Sequence, residues 1–153
     1  EALWQGLRDG IIDFIATDHA PHTLEDKNKP YPKSPAGMPG VETSLPLILT
    51  EMKKGRCNLA QVQKWMCYGP AESYRIPGKG KILEGWDADL TLVDLDNAKP
   101  VRNEDVFSRV GWSPYEGREL FGWPIYTIVG GRVVFDQGKI RDGVLGSALT
   151  FDA

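Results

Sequence analysis

The side chains best suited to chemistry in this 153-residue chain stand together: Asp18, His19 and His22, with Lys27 five positions further on. They include the only two histidines in the sequence. A carboxylate can ligate a divalent metal or carry a proton, and an imidazole can do either or hold an anion. Asp and His beside one another can also do no more than cap a helix or close a turn, so their placement has to decide. Ile11, Ile12, Phe14, Ile15 and Ala16 form a short apolar run rich in β-branched residues, which predicts a parallel strand covered on both faces. Asp18 falls just past its end. In parallel α/β sheets and (β/α)8 barrels the reacting groups collect at the carboxyl ends of the strands, so the three residues sit where a site would be.

The elements that would position them read as follows. Ala2, Leu3, Trp4 and Leu7 fall at helical spacing and Gly10 supplies a stop, so a helix feeds the Ile11 strand. From Thr23 to Ala36 the chain is charged and turn-forming, with Pro30, Pro32 and Pro35 stiffening it, and reads as an active-site loop without regular elements. Gly37 and Gly40 then allow close backbone approach to a ligand. Ser44–Lys54 carries Leu45, Ile48, Leu49 and Met52 on one face with Gly55 beyond, predicting a helix. Asn58 and Gln61 resemble a capping pair for a helix ending at Gly69-Pro70, with Trp65 and Met66 in the core. From Lys79 the period shortens to strands at Ile82–Leu83, Leu90–Val93, Ile125–Val129 and Arg132–Phe135, the last two joined by Gly130-Gly131 as a hairpin. Asn103 is expected to cap a short helix through Ser108. Gly111–Gly122, with Trp112, Pro114, Tyr115 and Phe121, is expected to be a loop packed against the first part.

Composition sets outer bounds. A hydrophobic fraction of 41% with 25% charged residues is ordinary for a globular chain, and a net charge of −3 gives no basic footprint for nucleic acid or an anionic membrane. No apolar run approaches the roughly 20 residues that span a bilayer, and no signal segment precedes Glu1, so the expected location is the cytoplasm. Cys57 and Cys67 are too few and too far apart for a disulfide framework or a C-x-x-C site, and read as reduced thiols on or beside helices. A complete barrel takes roughly 250 residues, so this chain is too short to close one.

The string A-T-D-H-A-P-H-T-L-E-D-K (Ala16–Lys27) resembles the dihydroorotase signature A-T-D-x-A-P-H-x-x-x-x-K. The resemblance continues through S-P-A-G-M-P-G-V-E-T (Ser34–Thr43), K-G-K-I-L-E-G-W-D-A-D-L-T-L-V-D (Lys79–Asp94), S-P-Y-E-G (Ser113–Gly117) and I-V-G-G-R-V-V-F (Ile128–Phe135), nearly the whole chain. It implies an α/β fold: the C-terminal portion of a (β/α)8 barrel of the metal-dependent hydrolase type plus part of a small β-sandwich. Residues 1–78 would hold the last βα unit and C-terminal helices of the barrel. Residues 79–153 would hold sandwich strands, with a loop at about 108–123 packing on the barrel. Such enzymes also carry an H-x-H pair, a metal-bridging lysine and two further histidines upstream, none of which lies in this chain.

The resemblance further implies a zinc enzyme of pyrimidine biosynthesis that interconverts dihydroorotate and carbamoyl aspartate. Asp18 would ligate zinc and carry the proton from the attacking hydroxide to the ring nitrogen. His22 would bind the substrate carboxylate, Ala36 and Gly37 would contact substrate through their backbone, and His19 would serve the turn. With most ligands elsewhere, the expected partner is the remaining N-terminal part of the enzyme or an oligomer mate, and the segment alone is expected to be inactive. Two other readings compete. Allantoinases and dihydropyrimidinases are related cyclic amidohydrolases, but they resemble D-H-x-P followed by a residue other than histidine. A non-catalytic partner subunit of the same fold would not need Asp18 and His22.

Overall fold

The computed structural model describes residues 1–152. Helix α1 (Ala2–Arg8) ends at Asp9 and Gly10, as expected, and Leu7 is its buried residue. The following segment departs from expectation. Residues 11–16 belong to no sheet: the Ile11 and Ile12 N–H groups turn back to the Gly6 carbonyl, and Ile11 is 77% exposed. A parallel strand exists only by pairing with neighbours, and among the described residues none lies alongside it beyond a single parallel bridge, His19 with Met38. Helical packing anchors the segment instead. Gly69 N–H turns back to the Lys64 carbonyl, five residues earlier, in a π-helical turn over Lys64–Tyr68. That widening frees the Trp65 carbonyl, which accepts the Ile15 N–H at 2.9 Å.

The loop after His22 is more ordered than its composition predicts. Thr23 caps a one-turn helix, α2 (Leu24–Lys27), its hydroxyl accepting the Asp26 N–H. Helix α3 (Ser44–Lys53) buries Pro46, Leu49 and Thr50. Asn58 and Gln61 form a reciprocal capping box on α4 (Leu59–Gln63), as the sequence predicts. The helical path does not stop at Gly69-Pro70. It continues as α5 (Gly69–Ser73), because Pro70 enters at its first turn, where the missing N–H has no partner to lose. Trp65 is 1% exposed, a core residue edge-on to Trp4 at 6.2 Å.

The second half forms one four-stranded antiparallel meander, β1-β2-β3-β4. Its strands are β1 (Leu90–Pro100), β2 (Glu119–Val129), β3 (Arg132–Asp136) and β4 (Lys139–Ile140). The Gly130-Gly131 hairpin forms as expected, with both residues at positive φ. Ile82 and Leu83 form no strand and are exposed, in an irregular stretch with a single turn at Glu84 and Gly85. Asn103 opens only a 3-10 turn, Asn103–Asp105, and its side chain accepts the Ser113 N–H rather than capping a helix. β2 begins at Glu119, inside the expected loop, because α3 shapes it there. Phe121 N–H donates to the Thr50 hydroxyl at 2.9 Å, and Gly122 takes φ +77° where a Cβ would stand 2.5 Å from Leu49.

The accessible surface is 10312 Å². A closed monomer of this mass would expose about 7,700 Å². The excess is apolar in part, with Leu3, Ile11 and Ile82 between 74% and 85% exposed. No helix among the described residues is long and apolar enough to cross a membrane.

Candidate active site

The backbone reverses at Asp18, which takes φ +44°. Left-handed backbone is uncommon outside glycine, and although Asp tolerates it better than most residues, it marks a position where neighbouring contacts dictate conformation. The reason is visible on both sides. Ile15 is tied to the π-helical turn, and two residues after Asp18 the Ala20 N–H donates to the Met38 carbonyl at 3.1 Å. Between them the His19 Nδ1 accepts both the Gly40 and Val41 N–H groups at 3.2 Å. His19 is therefore the pin that joins the Asp18 turn to the Gly40 turn, with Nδ1 as its unprotonated nitrogen.

The same joint seats Gly37 against Ala20 and His22. Gly37 lies at φ +95°, and a Cβ there would stand 2.6 Å from the Ala20 Cβ and 3.7 Å from His22 Nε2. No other residue type permits that approach. Ala36 is exposed beside it. Gly37, with Ala36 next to it in the chain, is therefore a neighbour of His22, while Asp18 is linked to them only through the chain and the His19 and Ala20 hydrogen bonds. Asp18 is exposed and its carboxylate makes no hydrogen bond or ion pair among the described residues. It is free to take a ligand.

Three supporting residues were not singled out from the sequence for these contacts. Trp112 Nε1 donates to the His22 carbonyl at 2.8 Å, across ninety positions of sequence. Glu42 accepts the Phe107 and Ser108 N–H groups at 2.8 and 2.7 Å, a second tie across the same boundary. Lys27 reaches the carbonyls of Pro35 and Gly37 at 2.8 and 3.0 Å. Lys27 and Glu42 stood in the quoted strings, yet nothing local in sequence says which backbone groups they would meet.

Metal chemistry can be tested on the donors present. Among the described residues no three His, Cys, Asp or Glu side chains gather around a common point. Structural and catalytic zinc sites use three or four protein ligands. These residues alone do not build a zinc site.

The fold is of the hydrolase-type α/β class, and the chain belongs to the amidohydrolase family, whose sequence model matches residues 1–134. It is 41% identical over 141 residues to the dihydroorotase of Bacillus licheniformis, covering 92% of this chain and 33% of that protein. It is 40% identical to the dihydroorotase of Listeria monocytogenes over the same share of each chain. Among solved structures it resembles the L-hydantoinase (dihydropyrimidinase) of Arthrobacter aurescens, with a TM-score of 0.84 and 38% identity, covering 91% of this chain and 32% of that one. The dihydropyrimidinase of Brevibacillus agri aligns with a TM-score of 0.85 at 27% identity, over the same shares. The chain spans about a third of the length of the curated relatives it matches. The expected fold class therefore holds, as a portion of the barrel-type hydrolase fold that ends in an antiparallel sheet.

Proposed function

We propose that the complete protein is a zinc-dependent dihydroorotase acting in pyrimidine biosynthesis, and that this chain supplies one edge of its active site. In this reading residues 1–78 belong to the barrel and residues 79–153 to the β module. The observation that supports the reading is the seating of Gly37 against Ala20 and His22, which puts an imidazole beside exposed backbone, four residues along the chain from the exposed Asp18 carboxylate. Dihydroorotate differs from dihydropyrimidines and hydantoins in bearing a carboxylate. An imidazole beside exposed backbone is a suitable receptor for one.

Asp18 is the proton carrier. Hydrolysis forms a C–O bond to the ring carbonyl carbon and breaks its bond to nitrogen, and that nitrogen must receive a proton to leave. The Asp18 carboxylate accepts the proton released by the attacking oxygen and returns it to the departing nitrogen. His22, Ala36 and Gly37 hold the substrate's carboxylate end, so that the reacting bond stands at Asp18. Asp18 is also the single donor that this chain lends to zinc, the other ligands lying in the rest of the enzyme. Bound zinc supplies a polarised carbonyl and a water acidic enough to react near neutral pH.

The likeness to the Arthrobacter aurescens L-hydantoinase favours a second reading, a cyclic amidohydrolase for hydantoins or dihydropyrimidines. A panel of dihydroorotate, dihydrouracil, hydantoin and allantoin given to the full-length enzyme separates the two. Dihydroorotate preferred in kcat/KM by about 10²-fold or more is the expected result, on the scale by which a site built for a polar group rejects analogues that lack it. Preference for hydantoin or dihydrouracil would give the second reading, and no turnover of any would give a non-catalytic subunit.

A further inference from the structure

Resting on the proposed dihydroorotase reading, we infer that Lys27 is a positioning residue that aims the Ala36 and Gly37 backbone at the substrate's carboxylate. Its ammonium leaves the end of α2 and spans two carbonyls of the facing loop, Pro35 at 2.8 Å and Gly37 at 3.0 Å. The grip is returned by Ser34, whose hydroxyl donates to the Lys27 carbonyl at 2.9 Å. Peptide planarity converts this into aim. The Pro35 carbonyl and the Ala36 N–H belong to one rigid unit and point in opposite directions, so holding the first sets the second. The Gly37 carbonyl likewise sets the Met38 N–H, on the residue that bridges to His19 and accepts the Ala20 N–H.

The charge matters as well as the reach. Lys27 is half-buried, and no carboxylate among the described residues lies within ion-pairing distance of it. Lys29, two residues on, is by contrast paired with Asp26. A cation that spends its donors on neutral carbonyls keeps its field for whatever approaches the loop, and that field favours an anionic group.

The test is steady-state kinetics of the full-length enzyme with dihydroorotate at matched metal content, for Lys27→Met, Lys27→Arg and Lys33→Met. Lys33 is an exposed cation of the same loop with no side-chain partner among the described residues, and controls for charge lost anywhere nearby. Lys27→Met should raise KM about tenfold or more, with kcat falling by less than KM rises, the signature of lost binding rather than lost chemistry. Lys27→Arg, whose fork can span both carbonyls, should recover most of it, and Lys33→Met should stay near the parent. An unchanged KM in Lys27→Met, or a rise equal to that of Lys33→Met, overturns the inference. Should Lys27→Met not fold, Lys27→Gln carries the same comparison with the same outcomes. Amide hydrogen exchange over residues 34–38 reads the clamp without any substrate. Faster exchange in Lys27→Met with no dihydroorotate turnover by the parent enzyme would reject the dihydroorotase reading and leave the clamp standing, whereas unchanged exchange removes the clamp itself.

Discussion

The Trp112 indole N–H donates to the carbonyl of His22 at 2.8 Å, so a residue ninety positions away holds the backbone from which the candidate carboxylate-binding imidazole projects. Trp112→Phe keeps most of the ring and removes only that donor. The half-buried carbonyl would lose its partner, at a cost of about 1 kcal/mol. We expect a lower unfolding midpoint in the full-length enzyme and a modest rise in KM for dihydroorotate, with kcat nearly kept. A KM identical to that of the parent would show that the His22 position does not depend on this tie.

Asp18→Asn and His22→Asn should fail differently in the full-length enzyme. Asparagine at position 18 keeps the size but cannot carry the proton, so kcat should fall by about 10²-fold or more. At position 22 the lost group faces the carboxylate rather than the reacting bond, so KM should rise, with kcat falling only as far as orientation is lost. Turnover near normal in the first variant, or an unchanged KM in the second, would reject the corresponding role.

Zinc should bind the isolated 153-residue segment only weakly, because among the described residues no three potential ligands gather where a tight site takes three or four. Equilibrium dialysis checks this. Stoichiometric zinc held at sub-micromolar free metal would overturn the assignment of Asp18 as this chain's single ligand.

Acid should loosen the turn before β1. Lys79 pairs with Asp87 and Asp89, and Asp89 also accepts the Gly130 N–H at 2.7 Å. The Lys79 ammonium first, then the Gly130 amide, hold the Asp89 carboxyl below the ordinary carboxylate range. A group whose pKa falls on folding adds stability that is present above its unfolded value, about pH 4, and lost as pH drops through the folded one. Hydrogen bonds to Asp87 and then Asp89 raise Lys79, whose contribution is whole below about pH 10 and lost only as pH rises through its folded value. Both groups are partly exposed, so the effect is small and weakened by salt. Unfolding midpoints from pH 3 to 6 should fall less steeply for Asp89→Asn than for the parent enzyme. Parallel curves would remove Asp89 from the account.

Gly122→Ala should destabilise the packing of α3 on β2 by about 1–3 kcal/mol, since it both strains a backbone at φ +77° and drives a methyl group into Leu49. Urea unfolding measures it. A change below about 0.5 kcal/mol would mean that β2 can shift away from α3 without cost.

Local chemistry alone was enough for the Asn58–Gln61 box, the α3 face, the Gly130-Gly131 hairpin and the clustering of Asp18 with His22. Caps, turns and helical periods act over a few residues and need no distant partner. Other features depend on contacts far apart in the chain. An apolar run such as Ile11–Ala16 is a strand only when neighbours pair with it, and with none described beside it the backbone is held by a carbonyl freed in the π-helical turn. Glycine spacing could suggest close approach at Gly37, but the surface it approaches is made by Ala20 and His22. Likewise a lysine in a charged loop reads as solvated until the fold brings the Pro35 and Gly37 carbonyls within its reach. The candidate groups were therefore legible from residue type and order, while the contacts around them were decided by hydrogen bonds whose partners no local pattern encodes.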